Sequence, residues 1–141
     1  MGLRRQTVAF LLSSISLCLI ACGATHHSMA TPRDTLMTVR SALRNKDLEL
    51  FKRTFSASRL ASLAAEAKAN ESVDDMLRVF LERPHESEGT PEAVEEEQRL
   101  DDNRVELRGK DGRPLGRFVR EGDEWKLDGF GWRMNYEKSG S

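Results

Sequence analysis

The hydrophobic period of this chain changes once, and that change limits what it can fold into. From Thr31 to Arg83 the apolar residues recur at helical spacing, whereas from Arg104 to Asp128 they alternate with charged ones. Spacings of three and four gather apolar side chains into one stripe on a helix, and strict alternation suits a strand with one face on a core and one in water. Helices first and strands second predict an α+β domain, with N-terminal helices packed on an antiparallel sheet.

Four helices can be placed from caps and stripes. Thr31 and Pro32 supply an N-cap and a first-turn proline, and Asp34 suits the positive helix end. Leu36, Val39, Ala42 and Leu43 then share a face, and Arg44–Lys46 closes the helix. A short second helix starts near Asp47 with Leu48, Phe51 and Phe55 on its inner side. The third takes Leu60, Leu63, Ala64 and Ala67 as its face and stops near Asn70. In the fourth, Ser72 caps, Asp75 follows three residues on, and Val73, Met76, Leu77 and Phe80 form the stripe. Pro84 ends it, because the residue before a proline avoids helical angles, and "PHESEGTP" reads as a loop.

In the second half, Val105 and Leu107 alternate with Arg104, Glu106 and Arg108, and Trp125 and Leu127 alternate with Glu124, Lys126 and Asp128. Between them lie "PLGRFVR" and turns carrying Asp111-Gly112 and Gly122-Asp123, pairs that tolerate positive φ. The result is an antiparallel meander. Residues 91–100 are ambiguous. Thr90-Pro91 and the glutamates favour a helix, while Val94 and Leu100 among charges fit an exposed edge strand equally well.

The N-terminus carries a different signal. Met1-Gly2-Leu3-Arg4-Arg5 is basic, and the 14 residues from Val8 to Ala21 are apolar apart from three serines. That is too short for a spanning helix, which needs roughly 20 residues, and has the parts of a secretory leader. Gln6 stands where N-myristoylation of Gly2 would want Ser or Thr. Leu19-Ile20-Ala21-Cys22 resembles the lipobox of bacterial lipoproteins. That resemblance implies cleavage after Ala21 and attachment of diacylglycerol to Cys22. Two or three acyl chains, at about 0.8 kcal/mol per buried methylene, hold a protein to a bilayer essentially permanently. Gly23, rather than Asp, implies the outer membrane, facing the periplasm. Cys18 then leaves with the leader, so the two cysteines are neither a disulfide nor a metal pair. His26 and His27 read as a solvated pair in the segment that follows.

The expected organisation is a lipoprotein signal peptide at 1–21, a flexible tether at 22–30, a single α+β domain at 31–132 and a C-terminal tail at 133–141. With Arg4 and Arg5 removed, 20 basic side chains face 23 acidic ones, a formal charge of −3. Nucleic acid is therefore not an expected partner, since phosphate binding needs a clustered basic surface. Some 110 residues suffice for one core but not for two.

Helices opening "TP-x-x-T" at Thr31, a "D-x-x-x-F" step at Asp47 and Phe51, and a last strand ending in the manner of "G-x-W-K-hydrophobic", here Gly122 to Leu127 with one residue more before Trp125, together resemble the nuclear transport factor 2-like fold. More narrowly, the chain is similar to small bacterial lipoproteins of unknown function that carry that domain. The resemblance implies a curved sheet wrapped around a helix as a cone, and it turns residues 93–100 toward strand. Relatives with that fold include enzymes whose pockets use Asp, His and Tyr for proton transfer. No such set is evident here. His85 lies in a loop, Tyr136 lies in the tail, Asp128 falls on the outward side of its strand, and no Cys or Ser sits in a nucleophile context. Glu95–Glu97 lacks the alternating oxygen ligands of a calcium loop. The sequence therefore points to a non-catalytic envelope module with no cofactor and no metal. Its expected partners are the membrane through the lipid, and an envelope protein or a small apolar ligand. Trp125, Phe130 and Trp132 are the candidates for a binding surface or pocket mouth. The alternative is a small-ligand binder or degenerate enzyme using the interior of the cone.

Overall fold

The computed structural model of the chain describes residues 27–82 and 93–130. The leader with Ala21 and Cys22, the His85 loop, Trp132 and the tail with Tyr136 lie outside the described residues. Four helices, α1 (Pro32–Asn45), α2 (Leu48–Arg53), α3 (Ala57–Glu66) and α4 (Val73–Glu82), precede four strands. The strands are β1 (Glu96–Asp101), β2 (Arg104–Arg108), β3 (Pro114–Glu121) and β4 (Glu124–Phe130), paired antiparallel in the order β1-β2-β3-β4. The chain is thus an α+β protein, and the part of the ambiguous segment from Glu96 onward is a strand, residues 91 and 92 lying outside the described residues.

Each helix begins where a short polar side chain satisfies a free backbone N–H. Thr31 accepts from the amide of Asp34, Asp47 from Leu50 and Ser56 from Arg59. Ser72 and Asp75 cap α4 reciprocally: the Asp75 amide donates to Ser72 Oγ at 3.1 Å, and the Ser72 amide donates to Asp75 Oδ2 at 3.0 Å. Lys46, in the left-handed region at φ 53°, ends α1 and lets the next amide, Asp47 N–H, reach back to Ala42 O at 2.9 Å. The third helix differs from its sequence reading. It stops at Glu66, Ala64 is exposed and Ala67 is extended, so Leu63 alone is its buried residue.

The sheet presents an inward row of Val105, Phe118 and Leu127, aligned across β2, β3 and β4. These pack on Leu36, Val39 and Ala42 of α1 and Phe51 of α2. The next rung, Leu107–Gly116–Phe130, would be out of phase if β4 alternated regularly. A bulge at Asp128 shifts the register between Arg117 and Phe118, so that Leu127 and Phe130 both face the helices. Asp128 does not simply point to water as strict alternation predicts: Ser56 Oγ donates to its Oδ1 at 2.6 Å.

Alternation also fails at Glu106, which faces away from the helices yet is only 9% exposed. Arg108, two residues along the same face, reaches its Oε1 at 2.6 Å, and Arg117, directly across on β3, reaches Oε2 at 3.4 Å. Two guanidinium groups with their aliphatic stems cover the carboxylate on a face that water would otherwise wet.

Candidate functional site

The outer edge of β4 is closed by chain from elsewhere. Trp125 N–H donates to Met29 O at 2.8 Å, and Leu127 N–H donates to Thr54 O at 2.7 Å. In return, Leu127 O accepts from Ser56 N–H at 2.9 Å and Trp125 O accepts from Thr35 Oγ1 at 2.7 Å. Met29, expected in the tether, is 2% exposed and belongs to the domain. Thr35, Thr38, Thr54 and Ser56 are the buried hydroxyls here, and each has a partner: Thr38 Oγ1 donates to Ser28 O, and Thr54 Oγ1 to Phe51 O.

Where this sealed edge meets α2 and α3, a groove of about 380 Å3 opens to solvent. Phe55 and Leu60 form its apolar floor, and Lys52, Arg53, Glu121 and Lys126 stand around it. Lys126 is only 12% exposed, and its Nζ lies 2.6 Å from Glu124 Oε2 and 3.0 Å from Arg53 O. Arg53 pairs with the other oxygen of Glu124 at 3.3 Å, and Lys52 pairs with Asp74 at 2.7 Å. Glu121 accepts the Ala57 amide at 2.8 Å, at the start of α3.

These contacts set the protonation behaviour. The hydrogen bond from Lys126 holds the Glu124 carboxyl below its usual range, with the Lys126 and Arg53 charges adding to the effect. The hydrogen bond to Asp74, and then its charge, raises Lys52. A general acid or base works best with a pKa drawn toward the operating pH. Both shifts run the other way, fixing charge rather than freeing a proton. Among the described residues no three His, Cys, Asp or Glu side chains converge as a metal site, and no helix is long and apolar enough to cross a membrane.

Of the expected aromatic surface, Phe130 and Trp125 are placed and neither lines the groove. Phe130 stacks on Phe80 with centroids 5.2 Å apart and meets Phe55 edge-on at 5.5 Å. Phe51 completes the cluster, 5.0 Å from Phe55 and 5.6 Å from Phe80. Trp125 is half-buried against the core. Alternation marks Glu124 and Lys126 as outward-facing, but nothing local shows that they turn round the strand edge to Arg53. Comparison of the chain with protein-family models, curated proteins and solved structures gave no match.

Proposed function

We propose that this protein is a lipid-anchored, non-catalytic binding module of the bacterial cell envelope, built as a nuclear transport factor 2-like cone. The anchor rests on the basic and apolar leader ending Leu19-Ile20-Ala21-Cys22. Four helices followed by a meander whose three pairings each carry a register shift support the cone, since such bulges bend a sheet.

One observation carries the non-catalytic part. The side of the sheet that would face a ligand is filled by Phe51, Phe118, Leu107 and Leu127, each 0–1% exposed. The aromatic cluster of Phe55, Phe80 and Phe130 adjoins them. This weighs against the alternative of a small ligand held inside the cone, which wants a preformed cavity with a few convergent polar groups.

The anchor is tested by metabolic labelling with a palmitate analogue in a bacterial host. The wild-type chain takes up label and Cys22→Ala does not. Equal labelling of the two would overturn the anchored reading.

A further inference from the structure

The two edges of the sheet are treated differently. The β4 edge is covered by Met29, Thr35, Thr54 and Ser56, whereas β1 has β2 on one side and, among the described residues, no backbone partner on the other. All six residues of β1 are exposed, although the facing Val105 and Leu107 of β2 are 4% and 0% exposed. Glu97 and Arg99 lie opposite those two and share their face, and Glu96 and Gln98 take the other. An unpaired strand of this length is a template for a further strand, with the main chain supplying affinity and alternate side chains supplying selectivity.

Charge decides which strand fits. Glu95–Asp102 carries five carboxylates against the single guanidinium of Arg99. Arg33 lies 3.6 Å from Glu97, and Arg104 lies 2.6 Å from Asp101. Glu95, Glu96 and Asp102 form no ion pair among the described residues. A second copy is a poor occupant, because antiparallel pairing of β1 with itself about its centre sets Glu96 against Asp101, and like charges facing each other destabilise a sheet. The same charges favour a cationic strand and repel an anionic one.

We propose that the outer edge of β1 is a strand-addition site for an extended, lysine- or arginine-rich segment of another protein. This rests on the reading of the chain as a binding module and names the kind of partner that module takes. The partner's main chain continues the sheet beyond β1, and its basic side chains meet Glu96 and Glu97 on the two faces.

The test uses the full-length protein, isotope-labelled and held in non-ionic detergent. It is titrated with a synthetic ten-residue peptide alternating Lys and Thr, and with its Glu/Thr counterpart. Saturable amide shifts confined to β1 and β2 are expected, with the Lys peptide bound at least about tenfold more tightly at low salt. That preference should collapse near 1 M salt, where the Debye length is about 3 Å. Glu96→Lys/Glu97→Lys, checked for folding by circular dichroism, should reverse the preference. Equal binding of both peptides, or binding of neither, would overturn the site. Shifts mapping instead to Lys52, Leu60 and Glu121 would also overturn it, while leaving a binding module that uses its groove. The broader reading fails separately, if crosslinking in intact envelopes joins the protein to no neighbour.

Discussion

Gly116 shows how little room the inward face of the sheet leaves. A Cβ there would stand 3.1 Å from Phe118 Cε2 and 3.2 Å from Leu127 Cδ1. Both neighbours are buried, at 0% and 1% exposure, so each would have to shift by a few tenths of an ångström within the packed interior. Overpacking of this kind costs about 1–3 kcal/mol. Replacing a strand glycine returns about 0.5–1 kcal/mol of conformational entropy, so the crowding dominates. Gly116→Ala is therefore expected to lower the melting temperature, by roughly 4–8 °C per kcal/mol lost in a domain this size. Calorimetry of the two proteins checks it, and an unchanged or raised midpoint would mean that Phe118 can yield. At the same scale Ser56 joins two structures: its Oγ accepts from the Arg59 amide and donates to Asp128. Asp128 lies 72 residues away, and no local pattern announces that partner.

Among the elements, α4 is the one whose start is written most completely in a few residues. Ser72 Oγ donates to Asp75 Oδ2 at 2.7 Å, the Ser72 amide donates to the same oxygen, and Arg78 Nη1 sits 3.2 Å from Oδ1. The side-chain bond from Ser72, then the backbone bond, hold the Asp75 carboxyl below its ordinary value of 3.8. A carboxyl depressed in the folded state contributes stability that is fully present above the unfolded value and is lost as pH falls through the folded one. Asp75→Asn is therefore expected to melt below wild type at neutral pH. The gap should hold down to about pH 5 and close below about pH 4, as the wild-type carboxyl takes up its proton. Thermal melts of both proteins between pH 2 and 7 check this, and a gap independent of pH would show that the charge contributes nothing. The strands behave otherwise. None of β1's residues is buried, so its pairing with β2, and not its own composition, makes it a strand.

At the scale of the whole molecule, the helices and the sheet are joined through phenylalanine. Phe51 is fully buried and lies within 6.2 Å, ring centre to ring centre, of Phe55, Phe80 and Phe130. It links α2 to α4 and to the end of β4. Truncating a buried Phe to Ala costs about 3–5 kcal/mol, against a total stability of about 5–15 kcal/mol for a domain. Phe130 is half-buried at the rim of the cluster. Phe51→Ala should consequently lower the urea midpoint far more than Phe130→Ala does. Equal losses would place the cluster's weight at its rim, where the sequence reading looked for a binding surface.

The features legible along the chain are local. Caps, stripes, turns at positive φ and the single change of period each need only neighbours within a few residues, and they mark four helices and three strands. Asp111, Gly112 and Gly122 do have positive φ, at 60°, 70° and 61°. The remaining features depend on partners far along the chain. Thr35 meets Trp125 across 90 residues, the bulge at Asp128 returns Phe130 to the core, and two arginines bury Glu106 on the outer face. The same long-range contacts close the β4 edge, and they leave β1 without a described partner on its outer side. Period-2 alternation describes a regular isolated strand, and these are the places where the strand is bulged, covered or joined from outside.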